Sequence, residues 1–223
     1  QEQIKQTLNA CPDILAWSTN VDAIWKGSTS TGKPNYKKAG TDNEYVSCEI
    51  NHVSKEDIEI YGLELVEGRS WTDDEGGYDY VMLISESAKR LLGITDINTE
   101  QVQTQNRLWN VPRNGKWMED NPPYQVVGVV KDYVTNQLAR KTVPQVYLCT
   151  KNMGGIMMPG YSLHVRHLPG KQKEVLKVLS ELRNEIAGEG MLDYSMLEDE
   201  RAKRYENERR VVNIYLIFAA LAI

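Results

Sequence analysis

The chain has 223 residues, 41% of them hydrophobic, with a net charge of −5 at pH 7 and an isoelectric point near 5.4. That length supports one large domain or two small ones with ample core, and the acidic balance argues against a nucleic-acid partner, which needs a basic surface to neutralise phosphates. Cys11, Cys48 and Cys149 are far apart and form no CxxC pair, which excludes a zinc ribbon or thioredoxin-like motif; they read as buried small hydrophobes.

Residues 1–10 read as the last turns of a helix stopped by Cys11-Pro12, because proline pushes the residue before it out of helical geometry. Residues 13–25 look extended, and 27–40, rich in Gly, Ser, Thr, Lys and Pro, are expected to be a loop or hairpin tip. Residues 45–53 alternate as one strand, with Val46, Cys48 and Ile50 on a common face. Ser54 then caps a short helix over 55–61, Asp57 takes the acidic position of a capping box, and Gly62 ends it. A brief strand over 63–66 and an apolar strand over 80–84 follow, and Ser85 caps a helix that runs to Leu92 and closes at Gly93.

The polar stretch 94–123 is expected to be an irregular insertion or a small hairpin. The β-branched run 124–132 (YQVVGVVKD) gives the strongest strand signal in the chain, and 145–150 and 161–167 are further strands. Over 171–187, Val175, Val178, Leu179, Leu182 and Ile186 recur on one helical face; Gly188 and Gly190 end that helix, and 192–197 is read as a returning strand. Strand, helix and strand from 161 to 197 make a βαβ-like unit, so the fold class is α+β.

Residues 198–210 (EDERAKRYENERR) are densely charged, and 211–223 (VVNIYLIFAALAI) are apolar throughout. Two readings fit: the start of a membrane span, which needs roughly 20 apolar residues, or a buried C-terminal core helix. Gln1 stands where a methionine would begin a chain, and no signal peptide is present, so the segment is expected to be internal to a longer protein.

Three patterns invite a chemical reading and fall short of it. Residues 27–33 (GSTSTGK) copy the first seven positions of a P-loop, but Pro34 replaces the magnesium-binding hydroxyl and no apolar helix pattern follows. His164 and His167 would share a face on a helix, but they sit in a strand-like segment, where residues three apart point to opposite faces. Asp73-Asp74-Glu75 lacks the alternating oxygen ligands of a calcium loop. No Ser-His-Asp order, GxSxG elbow or HExxH stands out. Catalytic, cofactor-binding and metal residues are therefore assigned to none of these positions, no cofactor is expected, and the chain is not read as an enzyme.

Four segments carry a resemblance: 61–71 (YGLELVEGRSW), 81–93 (VMLISESAKRLLG), 124–133 (YQVVGVVKDY) and 144–147 (PQVY). In this order and at this spacing they resemble the MacB-like periplasmic core domain of ABC transporter permeases of the MacB/FtsX/LolC type. The resemblance implies an inner-membrane protein whose extracytoplasmic core spans 11–197, with a porter-like part built from both chain ends and a smaller part inserted over about 51–150. Residues 1–10 would end the helix that follows a first transmembrane segment, and 198–223 would lead into a truncated second one. The implied partners are a cytoplasmic ABC ATPase subunit, a periplasmic adaptor or outer-membrane protein, the membrane itself and a second permease, and the implied mechanism is mechanotransmission. The stretch 94–123, with Trp109 and Trp117, departs from the family pattern. A ligand-sensing domain of a membrane receptor is the alternative. Membrane helices encoded beyond Ile223 mean a permease, and a kinase or HAMP segment means a receptor.

Overall fold

A computed structural model of the chain describes residues 2–20, 34–75, 79–105, 121–132, 142–149 and 162–199. In chain order the elements are α1 (Glu2–Ala10), β1 (Ile14–Asn20), β2 (Asn35–Lys38), β3 (Val46–Ser47), β4 (Glu49–Val53), α2 (Lys55–Tyr61) and β5 (Leu65–Gly68). They continue with β6 (Val81–Ser85), α3 (Glu86–Leu92), β7 (Gln101–Thr104), β8 (Tyr124–Val130), β9 (Gln145–Cys149), β10 (Ser162–His167) and α4 (Gln172–Ala187). The class is α+β.

Among the described residues the strands form two sheets. The larger, mixed sheet follows the order β3-β2-β7-β8-β6-β9-β4, and β5 pairs with β8 off that path. β8 is its centre. β6 lies parallel along one edge of β8, while β7 pairs with the start and β5 with the end of the other edge. β3 and β4 are separated only by Cys48 yet stand at opposite ends of the order, so the sheet curls until its ends meet without pairing. Burial pushes the Cys48 thiol at that junction up to about 12, which leaves it protonated and inert.

Each face of this sheet carries its own apolar cluster. Met82, Ile84, Val126, Val129, Val146 and Leu148 meet Ala88 and Leu92 of α3 on one face. Val81, Leu83, Val127, Val130, Tyr147 and Trp71 meet Tyr61 of α2 on the other. Burial on both faces is why β6, β8 and β9 read as nearly continuous apolar runs rather than alternating ones. The smaller sheet is the antiparallel pair β1 and β10, with Trp17 opposite Val165 and Ser18 opposite His164.

Local signals placed the helices well. Ser54 and Asp57 form the full capping box of α2, and Gly62 closes it in the left-handed conformation. Ser85 caps α3 and Gly93 closes it in the same way.

Four expectations need correction. Residues 35–38 form strand β2 rather than a loop, because β3 and β7 supply ladder partners on both sides and Tyr36 is fully buried. The expected single strand over 45–53 is two, which pair with β2 and with β9 respectively. The stretch 94–123 contributes β7, whose Val102 and Thr104 are buried between half-buried glutamines. Finally, 192–197 is not a strand: 188–196 have no regular structure, Met191 and Tyr194 are exposed, and helix begins at 197. A strand needs a ladder partner, and among the described residues β10 pairs only with β1, so the βαβ-like unit lacks its second strand.

Candidate functional site

The structure separates the two histidines predicted to point apart. His164 is buried on the face of β10 that meets α2, while His167 is half-buried and its Nδ1 donates to the Leu168 carbonyl at 2.8 Å. Two of the three carboxylates of the acidic loop are taken up by ion pairs. Asp73 takes Lys55 at 2.6 Å, and Glu75 accepts two hydrogen bonds from Arg69, at 2.6 and 2.7 Å, with a third from the Thr72 N–H at 2.8 Å. Among the described residues no group of three His, Cys, Asp or Glu has the arrangement to hold a metal ion. The P-loop-like 27–33, Trp109, Trp117 and the apolar 211–223 lie outside the described residues.

One cluster of chemistry-bearing side chains does assemble, and no sequence motif announces it. Ser18 of β1 donates its hydroxyl to the Asp57 carboxylate of α2. The Asp57 Oδ1 lies 3.5 Å from His164 Nδ1, and the Tyr61 hydroxyl lies 2.7 Å from that same nitrogen. All four residues are buried, with Asp57 at 0% exposure. The serine donates to the aspartate rather than to the histidine, so the order is wrong for a nucleophile activated by a general base. Chemically the cluster is a set of mutually satisfied partners joining the small sheet to α2.

The resemblance-bearing segments converge elsewhere, at one corner of the large sheet. Gly68 and Gly128 are opposite partners between β5 and β8, and Arg69 N–H donates to the Val127 carbonyl at 2.9 Å. Asp132, just past β8, accepts from the Ser87 N–H at 2.8 Å and from Arg90 at 2.9 Å, so it ties β8 to the first turn of α3. Burial pushes the Asp132 carboxyl up, but these hydrogen bonds outweigh it and hold the group below its ordinary range. The Ser85 hydroxyl accepts from Ala88 N–H at 3.2 Å and from Gln145 N–H at 3.0 Å, which fixes β9 against the α3 cap.

No protein-family model matches the sequence, and no curated protein matches it. Several solved structures are similar in fold, three of them domains of transporters or permeases. The extracellular domain of the ABC-type transporter YknZ from Gram-positive bacteria is 17% identical, with a TM-score of 0.50 over 85% of this chain and 84% of that one. The periplasmic region of MacB from Actinobacillus actinomycetemcomitans is 17% identical, with a TM-score of 0.52 over 93% of this chain and 83% of that one. A permease domain from Porphyromonas gingivalis is also 17% identical, with a TM-score of 0.52 over 81% and 68%. The chain has the MacB-type periplasmic domain fold.

In this MacB-type fold the four segments behind the resemblance act as fold determinants: they build a sheet corner, and of their described side chains only Tyr61, at the end of α2, joins the buried cluster. The contacts that sequence reasoning missed are those of Ser18 and His164 with Asp57 and Tyr61. Only the capping role of Asp57 was visible, because its contacts with β1 and β10 span 39 residues or more along the chain.

The Arg69–Glu75 pair beside the MacB-type corner gives a pH prediction. Arg69, against burial and with help from Thr72, holds the Glu75 carboxyl down at about 2, from an ordinary 4.5. A carboxylate depressed by folding contributes stability above its ordinary range and loses it as pH falls through the folded value. Stability should therefore drop as pH falls from about 4.5 to about 2. Urea unfolding at stepped pH should show Glu75→Gln less stable than the parent at pH 7, with a shallower acid loss. The variant retains the share of Glu100, which Lys38 and the Thr95 N–H also hold at about 2. An unchanged acid slope would rule out Glu75 as a contributor.

Proposed function

We propose that this chain is the extracytoplasmic domain of an ABC transporter permease, and that it passes mechanical work from a cytoplasmic ATPase to the cell envelope. The observation that carries this reading is the fold shared with the MacB and YknZ domains over more than four-fifths of both chains. The connectivity agrees with it: α1 leads directly into β1, and β10 leads through α4 towards 198–223, so both chain ends enter through the smaller sheet. In this reading that sheet belongs to the porter-like part built from both ends and the larger sheet to the inserted part, which then begins with β2 at Asn35 rather than at about 51.

Under this reading the protein sits in the inner membrane with the described residues outside the cytoplasm. It works in pairs and meets a periplasmic adaptor or outer-membrane partner. Its own residues catalyse nothing; hydrolysis belongs to the ATPase subunit. Among the described residues no helix is long and apolar enough to cross a membrane. The membrane link is assigned to 198–223, which lie outside those described apart from 198 and 199.

The test uses the full-length protein in its own membrane. Affinity purification should bring down an ABC ATPase, and a Gly-Ser insertion beside Tyr205 should leave ATP hydrolysis intact while abolishing the transported or regulated output. Retained output with the insertion would sink the mechanical part. Co-purification of a kinase in place of an ATPase would sink the permease assignment.

A further inference from the structure

The two faces of α2 are held by different chemistry. Towards the large sheet, Tyr61 lies within an apolar cluster with Val53, Leu63, Trp71 and Tyr147, and Ile58 and Ile60 pack against it. Towards the small sheet the contacts are polar: Ser18 to Asp57, Tyr61 to His164, and the Arg166 guanidinium donating to the Glu59 carbonyl near the end of α2. Among the described residues no side chain of β1 or β10 belongs to either apolar cluster of the large sheet.

This difference decides which contact yields first. Separating α2 from the large sheet would expose the apolar surface of the second cluster, which is costly in proportion to area. Separating β1 and β10 from α2 exposes hydroxyl, carboxylate and imidazole groups that water solvates, so the net loss per hydrogen bond is small. Asp57 also keeps acceptor work after separation. Its Oδ2 still takes the Ser54 N–H at 2.8 Å, and the Ser54 hydroxyl still takes the Asp57 N–H at 3.2 Å. The Tyr61 ring stays in its apolar cluster and gives up only its edge contact with the His164 ring, 5.7 Å between centroids, together with the hydroxyl's partner.

We propose that the two-stranded sheet separates from α2 as a unit at this polar seam, while the large sheet and both of its apolar clusters stay intact. The seam is a joint built into the fold, with Ser18–Asp57 and Tyr61–His164 as its fastenings. A mechanical consequence rests on the permease reading: a pull arriving from either chain end passes through α1 to β1 or through α4 to β10 before it reaches the large sheet, and the seam is where it is taken up.

Native-state hydrogen exchange on the 223-residue chain tests the joint independently of any transport assay. Once detached, a two-stranded sheet is only marginally stable, so amides of the β1–β10 ladder are expected to exchange through one common opening, faster than the amides of β6, β8 and β9, as a separate cooperative unit does. Ser18→Ala and Tyr61→Phe should each raise exchange in β1 and β10 by about fivefold, the weight of one net hydrogen bond, and leave β6, β8 and β9 unchanged. Tyr61→Phe keeps the ring in its apolar cluster and decides the question should Ser18→Ala fail to fold. A variant that accelerates both sheets equally overturns the proposal, as does one that leaves β1 and β10 unaffected.

Discussion

Replacing Gly128 with alanine is expected to lower the unfolding free energy by about 3 kcal/mol, at the upper end of overpacking penalties. A Cβ at this position would lie 2.3 Å from the Arg69 carbonyl oxygen and 3.0 Å from Leu83 Cδ2. The first of these neighbours is backbone and cannot rotate away. β5 is forced against β8 here because Gly68 is its direct partner, and Gly68 itself has a φ of 72° and no room for a side chain, with the Val127 carbonyl 2.4 Å from its would-be Cβ. Two glycines thus let two backbones approach at this corner of the sheet, and neither strand can retreat without uncovering an apolar cluster.

Gly40 provides the control. Its φ is 70°, but nothing lies within 4 Å of a Cβ there, so Gly40→Ala should cost only the left-handed strain of about 1–2 kcal/mol. Urea unfolding followed by circular dichroism ranks the two. Equal costs would mean that the close approach at Gly128 does not hold the corner together.

Asp57→Ala should destabilise the chain by about 3 kcal/mol, through two separable losses. The capping box of α2 loses its acceptor for the Ser54 N–H, worth about 1 kcal/mol. The buried Ser18 hydroxyl loses the carboxylate it donates to, and a buried donor left without its acceptor costs about 1–3 kcal/mol. Asp57→Asn keeps an acceptor oxygen and the shape, so its cost should be clearly smaller. Unfolding curves for the two variants give the ranking; a cost below about 1 kcal/mol for Asp57→Ala would show that the seam contributes no more than an ordinary cap.

Elements that depend on neighbours in the chain were legible in the sequence. The Ser54 and Ser85 caps, the Gly62 and Gly93 stops and the run of β8 are recorded in short stretches, because each relies on contacts three to five residues away or on β-branched propensity. β2 and β7 were not legible. Asn35-Tyr36-Lys37-Lys38 and Gln101-Val102-Gln103-Thr104 are polar, and they are strands because each supplies the other's ladder partner from more than 60 residues away. The segment 192–197 failed in the opposite direction. Its composition suits a strand, but none of the described strands lies beside it to pair.

The seam separates the two kinds of information most clearly. By itself the sequence determined the fold class and the order of most elements. Its four spaced segments also pointed to the MacB-type fold, since periodicity, caps and motif spacing are properties of the chain read along its length. Tertiary structure alone decided that Asp57 does more than cap a helix. Ser18 and His164 reach it from β1 and β10, Tyr61 meets that histidine, and no local pattern records which strand will fold back over which helix. Hydrogen-bond partners are chosen in space, once apolar burial has fixed the layers.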